Sequence, residues 1–201
     1  MKKFVLGLTA FFMLTGAAFS SSDGSTLFTN EFSLGTGASI HNESSCEERK
    51  NLLSTSDYKR IITGITFTEN LNISQPIKII FGGETFFDFI WNKGSFYNTI
   101  DYSFFSGIKV FTGISGLNVS IAYVLGNRTD FYTLAQTSDG ATPKKSDTKS
   151  WGNGFKLNVQ YDFMQEKAAK FKPILGGYYR FVPRGNYSTD HVLRIYGGIR
   201  F

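Results

Sequence analysis

The residues of this sequence best placed to do chemistry are charged ones inside alternating segments: Arg60, Lys78, Glu84, Asp88, Asp101, Lys109, Lys156, Asp162, Lys172, Arg180 and Arg194. Each takes the parity opposite a run of apolar side chains, so in a strand all of them project from the polar face. Facing one another across a narrow space, such a set would form an ion-pair network whose members satisfy each other away from water. A second constellation, His41, Ser44, Ser45, Asp190 and His191, holds the residue types of a Ser-His-Asp nucleophilic set at the margins of polar connections. The commoner origin of such a set is two histidines at loop edges, and no catalytic activity is expected. His41, Glu43, Cys46, Glu47 and Glu48 share one loop but show no metal-site spacing, so no metal is expected. Gly-x-Gly at Gly35 and at Gly152 lacks the strand-turn-helix setting of a phosphate loop, and no cofactor is expected.

These side chains need strands to position them, and the chain supplies alternation almost throughout. Phe32, Leu34, Ala38 and Ile40 oppose Glu31, Ser33, Gly35, Gly37 and Ser39, followed by a long polar connection over 41–57. Alternation resumes over 58–71, turns at 72–75, and continues over 76–91, where Ile80, Phe86 and Ile90 break the pattern. After a Gly-containing turn at 92–95, segments over 96–112 and 117–125 follow, and Phe131 to Leu134 would prolong the second. The stretch 127–150 reads as irregular. The clearest segment comes next, with Phe155, Leu157, Val159, Tyr161 and Phe163 against Lys156, Asn158, Gln160 and Asp162. Segments over 171–182 and 191–201 complete a tally of eight strands. The fragment Met164 to Lys170 is the only helix-like piece. Connections two, four and six read as short, and one, three, five and seven as longer or more polar.

At the amino terminus Lys2 and Lys3 precede an apolar run from Phe4 to about Leu14 and then Gly16, Ala17, Ala18 and Ser20. A spanning helix needs roughly 20 apolar residues, so residues 1–20 read as a cleaved signal peptide and 21–201 as one domain. Its removal takes the formal charge from +5 to +3, in charges scattered at strand spacing, so no nucleic-acid partner is expected. Cys46 is the only cysteine, which excludes an intramolecular disulfide framework; an unpaired thiol is expected. Aromatic residues make up 16% of the chain against 18% charged, a share too rich for an ordinary soluble surface. With no apolar run of helix-spanning length beyond these first residues, a membrane form must be a closed sheet, the one other structure that satisfies its backbone in lipid.

Alternation alone does not say which face is inside, since a soluble lipocalin-like barrel shows the same period with its oily face inward. The polar face decides it. It carries Gly35, Gly37, Gly64, Gly82, Gly107, Gly154, Gly176 and Gly198 beside the charges. A narrow lumen filled by side chains favours such glycines, and a mid-membrane Lys or Arg on the lipid side would cost about 2 to 4 kcal/mol. Trp91, Phe96, Trp151, Phe155, Tyr179 and Phe181 fall toward the loop side and Phe67, Phe163, Phe171 and Phe201 toward the turn side, as interfacial belts would. Aromatic preference for strands accounts for part of that. The expected fold is all-β, an eight-stranded antiparallel up-and-down transmembrane β-barrel.

The closing run HVLRIYGGIRF places Leu193, Ile195, Ile199 and Phe201 on one parity against Arg194, Gly198 and Arg200, and ends on Phe201. It resembles the closing strand of bacterial outer-membrane barrels, and the whole mature chain resembles small eight-stranded barrels of the OmpA-transmembrane, OmpX or OmpW kind. The resemblance implies residence in the cell outer membrane as a monomer. It also implies contact with outer-membrane lipid, periplasmic chaperones and the barrel-assembly machinery, with Ile195, Ile199 and Phe201 as the insertion signal. A surface-interaction role, in adhesion or membrane integrity and with a host or extracellular ligand at the loops, is the first expectation. A narrow pore or an OmpW-like path for small or hydrophobic solutes is the second. Lipid A deacylases also use eight-stranded barrels but carry His-x-Ser on one strand, whereas here His41 is followed by Asn42 and Glu43.

Overall fold

The computed structural model describes residues 27–42, 47–74, 76–133, 140, 143–164, 170–185 and 188–201. In chain order they form β1 (Phe28–Asn42), α1 (Glu47–Ser54), β2 (Lys59–Asn72), β3 (Ile77–Asn92), β4 (Ser95–Phe111), β5 (Leu117–Thr133), β6 (Lys144–Thr148), β7 (Gly152–Asp162), β8 (Lys172–Pro183) and β9 (Thr189–Arg200). Every strand but β6 belongs to one closed antiparallel ring of eight, in the order β4-β3-β2-β1-β9-β8-β7-β5, with β5 returning to pair with β4. The first and last strands join along a register running from Glu31 opposite Arg200 to Asn42 opposite Thr189. Closure leaves no unpaired edge in the wall, which lipid requires.

Period two sets the two faces. Leu34, Ile40, Ile121, Leu157, Leu193 and Ile195 point outward and are exposed, whereas Asp88, Asp101, Lys109, Lys156, Asp162, Arg180 and Arg194 are buried inside. An apolar belt this continuous would be a liability in water and is a lipid-facing wall. Two glycines show why the inner face is so poor in side chains. A methyl at Gly37 would run into the carbonyl oxygen of Leu193, and one at Gly154 into that of Phe181. Strands coiled this tightly bring the neighbouring backbone to where Cβ would stand.

Several expectations need correction. Ile80, Phe86 and Ile90 are not lapses in a strand, because they face the lumen and are buried there. They join further lumenal apolar residues, among them Tyr97, Phe105, Val124, Ile174, Tyr178, Val182 and Val192, in three clusters. The concave wall is therefore layered apolar and charged rather than purely glycine and charge. The polar connection after β1 contains a helix, α1, with Glu47 and Glu48 in its first turn, where the helix dipole favours acids. Part of 127–150 is strand: β5 runs on to Thr133 and pairs there with β6, a ninth strand standing beyond the barrel wall.

The alternation of long and short connections also has two exceptions. Lys93 and Gly94, both at positive φ (33° and 97°), alone join β3 to β4 on the loop side, as in a type I′ hairpin. On the turn side the connection from β7 to β8 is long, spanning 163–171. The expected signal peptide, residues 1–20, lies outside the described residues, as do Glu43, Ser44, Ser45, Cys46 and positions 165–169 of the helix-like fragment.

Candidate functional site

Alternate residues of eight strands converge on the barrel axis, and they meet there in stacked layers. Nearest the turn side, Lys109 Nζ of β4 donates to both carboxylate oxygens of Glu31 of β1, at 2.8 and 2.8 Å. Gln160 Nε2 of β7 donates to the same carboxylate at 3.1 Å. The Tyr196 hydroxyl stands 2.9 Å from Asn158 Oδ1 and 3.1 Å from Gln160 Oε1. Arg200 pairs with Asp162 across the β7 to β9 side. Lys78 and Lys172 lie half-buried at the mouth.

The middle layer is centred on Glu84 of β3, whose side chain is fully buried. It accepts from Lys156 at 2.5 Å, Arg180 at 3.0 Å and Ser103 at 3.1 Å. Arg180 also reaches Asp101 at 2.6 Å. The Lys156 ammonium is held between the rings of Phe105 and Tyr178, 4.0 and 4.1 Å from their centroids, which replaces part of its lost hydration. Arg194 has no carboxylate within pairing distance among the described residues. It donates instead to Thr66 Oγ1 at 2.5 Å and to the Gly64 carbonyl.

The loop-side layer holds two carboxylates, each shared by several cations. Asp88 receives a two-pronged bond from Arg60 (2.8 and 2.7 Å), one from Arg49 (2.7 Å) and one from Ser39 (2.8 Å). Asp190 takes His41 Nδ1 at 2.7 Å together with Arg128 and Arg184. Arg128 continues to Asp130 at 3.1 Å, and Arg184 to the carbonyls of Gly126 (2.8 Å) and Ser150 (2.9 Å).

Helix α1 caps this end. Arg49 and Leu52, three residues apart and so on one helical face, are both buried. Arg49 points down to Asp88, and Leu52 packs with Ile90, Tyr97 and Tyr132. Between the turn-side and middle layers lies an internal cavity of about 30 Å³, lined in part by Glu31, Lys109, Lys156 and Tyr178. That is room for little more than water.

All of the residues singled out for an ion-pair network face the lumen, at spacings that bring most of them together. The spacing did not identify the further charged members of these layers, Glu31, Arg49, Arg128, Asp130, Arg184, Asp190 and Arg200. Glu31 and Arg200 sit on the polar parity of β1 and β9 and were legible from that position. Arg49 was not, because it comes from the capping helix. The nucleophilic constellation is split by the wall. His41 and Asp190 meet inside, whereas His191 faces outward and bonds the Tyr179 hydroxyl at 2.7 Å. Among the described residues no group of three or more His, Cys, Asp or Glu is placed to hold a metal ion.

No family model matches the chain, and no curated protein matches it in sequence. Solved structures do match in shape. Ail, the attachment invasion locus protein of Yersinia pestis, aligns with a TM-score of 0.58 at 10% identity, over 86% of this chain and 98% of that one. A second structure of Ail, in complex with the heparin analogue sucrose octasulfate, gives 0.52 at 12% identity, over 87% and 99%. Neisserial surface protein A gives 0.49 at 14% identity, over 89% and 98%. Ring closure, an apolar outer wall and a charged, filled interior are what a barrel needs to sit in lipid, and the chain has the fold of the small eight-stranded outer-membrane β-barrels.

Proposed function

We propose that the chain serves in the outer membrane as a rigid scaffold that presents its loop side, above all the β5–β6 hairpin, to a ligand outside the cell. The observation that carries this reading is the contrast between the two ends of β5. Within the wall β5 is paired on both sides and the lumen beside it is filled. Beyond the wall its partner β6 is bonded, among the described residues, on one side only. An open strand edge offers unpaired backbone groups to an incoming extended segment, and the exposed Lys144 and Lys145 favour an acidic one. Ail, which carries attachment in its name and was solved with a sulfated sugar analogue, is a barrel of the same shape.

Filled layers weigh against an open pore, since Arg128, Arg180, Arg194 and Ile90 are all buried across the lumen. The role we read is a non-enzymatic one: His41 and Asp190 are engaged in the lumenal ion pairs, and His191 stands on the outer side of the wall. The chain acts as a monomer after loss of residues 1–20. Periplasmic chaperones and the barrel-assembly machinery deliver it, reading Ile195, Ile199 and Phe201. The lumenal network of Arg60, Lys78, Glu84, Asp88, Asp101, Lys109, Lys156, Asp162, Lys172, Arg180 and Arg194 serves to hold the wall rigid.

The test is attachment of bacteria displaying the protein to host cells and extracellular matrix, compared with a variant in which 134–150 is replaced by a tight turn. Attachment should fall at least about tenfold while the barrel still folds. Undiminished attachment, or regular open-channel steps in planar bilayers, would overturn the reading.

A further inference from the structure

The middle layer of the lumen is short of one negative charge. Among the described residues the buried Lys156, Arg180 and Arg194 stand there against Glu84 and Asp101. Glu84 is shared by Lys156 and Arg180, and Asp101 by Arg180 and, at 3.7 Å, Arg184. Arg194 has neutral acceptors only, the Thr66 hydroxyl and the Gly64 carbonyl foremost. A guanidinium does not shed its proton, and a buried cation without an anion is strongly unfavourable.

This uncompensated charge borders the internal cavity. Arg194 donates to Thr66 and, at 3.5 Å, to the Ser33 carbonyl, and its guanidinium carbon lies 5.8 and 5.9 Å from the ring centroids of Tyr178 and Tyr196. All four of those residues line the cavity, as does Lys156. Glu31 is the one carboxylate in its lining, and Lys109 at 2.8 Å and Gln160 at 3.1 Å already engage it. The buried Tyr178 hydroxyl finds no acceptor among the described residues, and neither does Arg194 Nε. The cavity therefore meets cations and an idle donor, and its missing occupant is a negatively charged acceptor. At about 30 Å³ it is too small for a polyatomic oxyanion. Water would satisfy the hydroxyl but leave the charge unbalanced.

We propose that this cavity holds a single chloride ion, bound by Arg194, Lys156 and the Tyr178 hydroxyl. Chloride is little larger than water, accepts from several donors at once and supplies the absent charge where the surroundings screen it poorly. The site belongs to the wall and is independent of what the loops recognise.

The test uses the full chain folded in lipid vesicles and unfolded reversibly in urea, in sodium chloride against sodium gluconate at equal ionic strength. An ion bound only by the folded state lowers the unfolding constant about tenfold when present at about ten times its Kd, and that effect should saturate with chloride. Arg194→Met should abolish the difference between the salts. Tyr178→Phe, which deletes only the donor, should fold and show a smaller difference, and Lys93→Met, on the exposed β3–β4 turn, should show all of it. Crystals grown in bromide should carry an anomalous peak in the cavity. Equal stability in the two salts, water alone in the cavity, or a chloride effect undiminished in folded Arg194→Met or Tyr178→Phe overturns the proposal.

Discussion

Replacing Glu84 by Gln tests whether the lumenal charges act as one network. The wild-type carboxylate has no exposed surface and accepts from Lys156, Arg180 and Ser103 at 2.5, 3.0 and 3.1 Å. The amide keeps the volume and removes the charge. Arg180 retains Asp101 at 2.6 Å, so the greater part of the loss falls on Lys156, which keeps only the faces of Phe105 and Tyr178. Leaving one partner of a buried pair uncompensated costs about 3 to 5 kcal/mol, and the retained aromatic faces bring the expectation to the lower end, about 3 kcal/mol. Adding Lys156→Met removes the orphaned cation and fills its place with apolar atoms, so the double variant should regain more than half of the loss. The measurement is reversible urea unfolding in lipid vesicles, followed by the fluorescence of Trp91 and Trp151, with the coupling read from the full double-mutant cycle. A cost below about 1 kcal/mol for Glu84→Gln, the range of exposed pairs, would refute the network, and so would strict additivity with Lys156→Met.

Other perturbations separate the wall, the cap and the terminus. Gly154→Ala should destabilise the folded barrel by about 1 to 3 kcal/mol in the same unfolding assay, because its new methyl meets the Phe181 carbonyl. Gly94→Val should slow refolding and lower stability by about 1 kcal/mol or more, since a β-branched residue resists the φ of 97° that closes the β3–β4 turn. Arg49→Ala should leave barrel stability nearly unchanged, as Asp88 keeps Arg60 and Ser39, but should speed protease cleavage within the β1–β2 connection severalfold by releasing α1. Phe201→Ala should reduce the assembled fraction in cells without much change in unfolding free energy in vitro, because the residue is 44% exposed and its ring lies beside that of Phe171 at the rim.

β7 shows how far period two reaches. Its alternation is free of exceptions from Phe155 to Phe163, and the structure puts its two parities on opposite sides of the wall. β3 shows where it stops. Ile80, Phe86 and Ile90 look like breaks because the expected lumen is polar, yet a narrow interior must be filled whatever the chemistry. Apolar side chains between charge layers fill it without calling for further partners. Pairing across the lumen was not legible for a different reason. Glu84 meets Lys156 over a separation of 72 residues and Glu31 meets Gln160 over 129, and those meetings depend on strand stagger, which composition does not encode. Arg49 and Leu52 were hidden because the helix that presents them lies in a segment rich in Ser and Glu, whose polarity reads as loop. Two apolar or aliphatic-stemmed residues on one face are a faint signal beside an alternating strand.

The filled lumen and the exposed hairpin are consequences of one geometric fact. An eight-stranded ring encloses too little space for a channel once its inward positions carry side chains longer than Ser, and this chain places Arg, Lys, Tyr and Phe there. Each buried cation then needs a carboxylate or a carbonyl, and many of these contacts tie together strands distant in sequence, as Asp190 ties β9 to β1 and β5. A wall braced in this way has little freedom left for gating. Beyond the wall β6 carries the exposed Lys144 and Lys145 and, among the described residues, is bonded on one side only. On the proposed role, the braced wall keeps the protein folded and the β5–β6 hairpin is the part left to meet a partner.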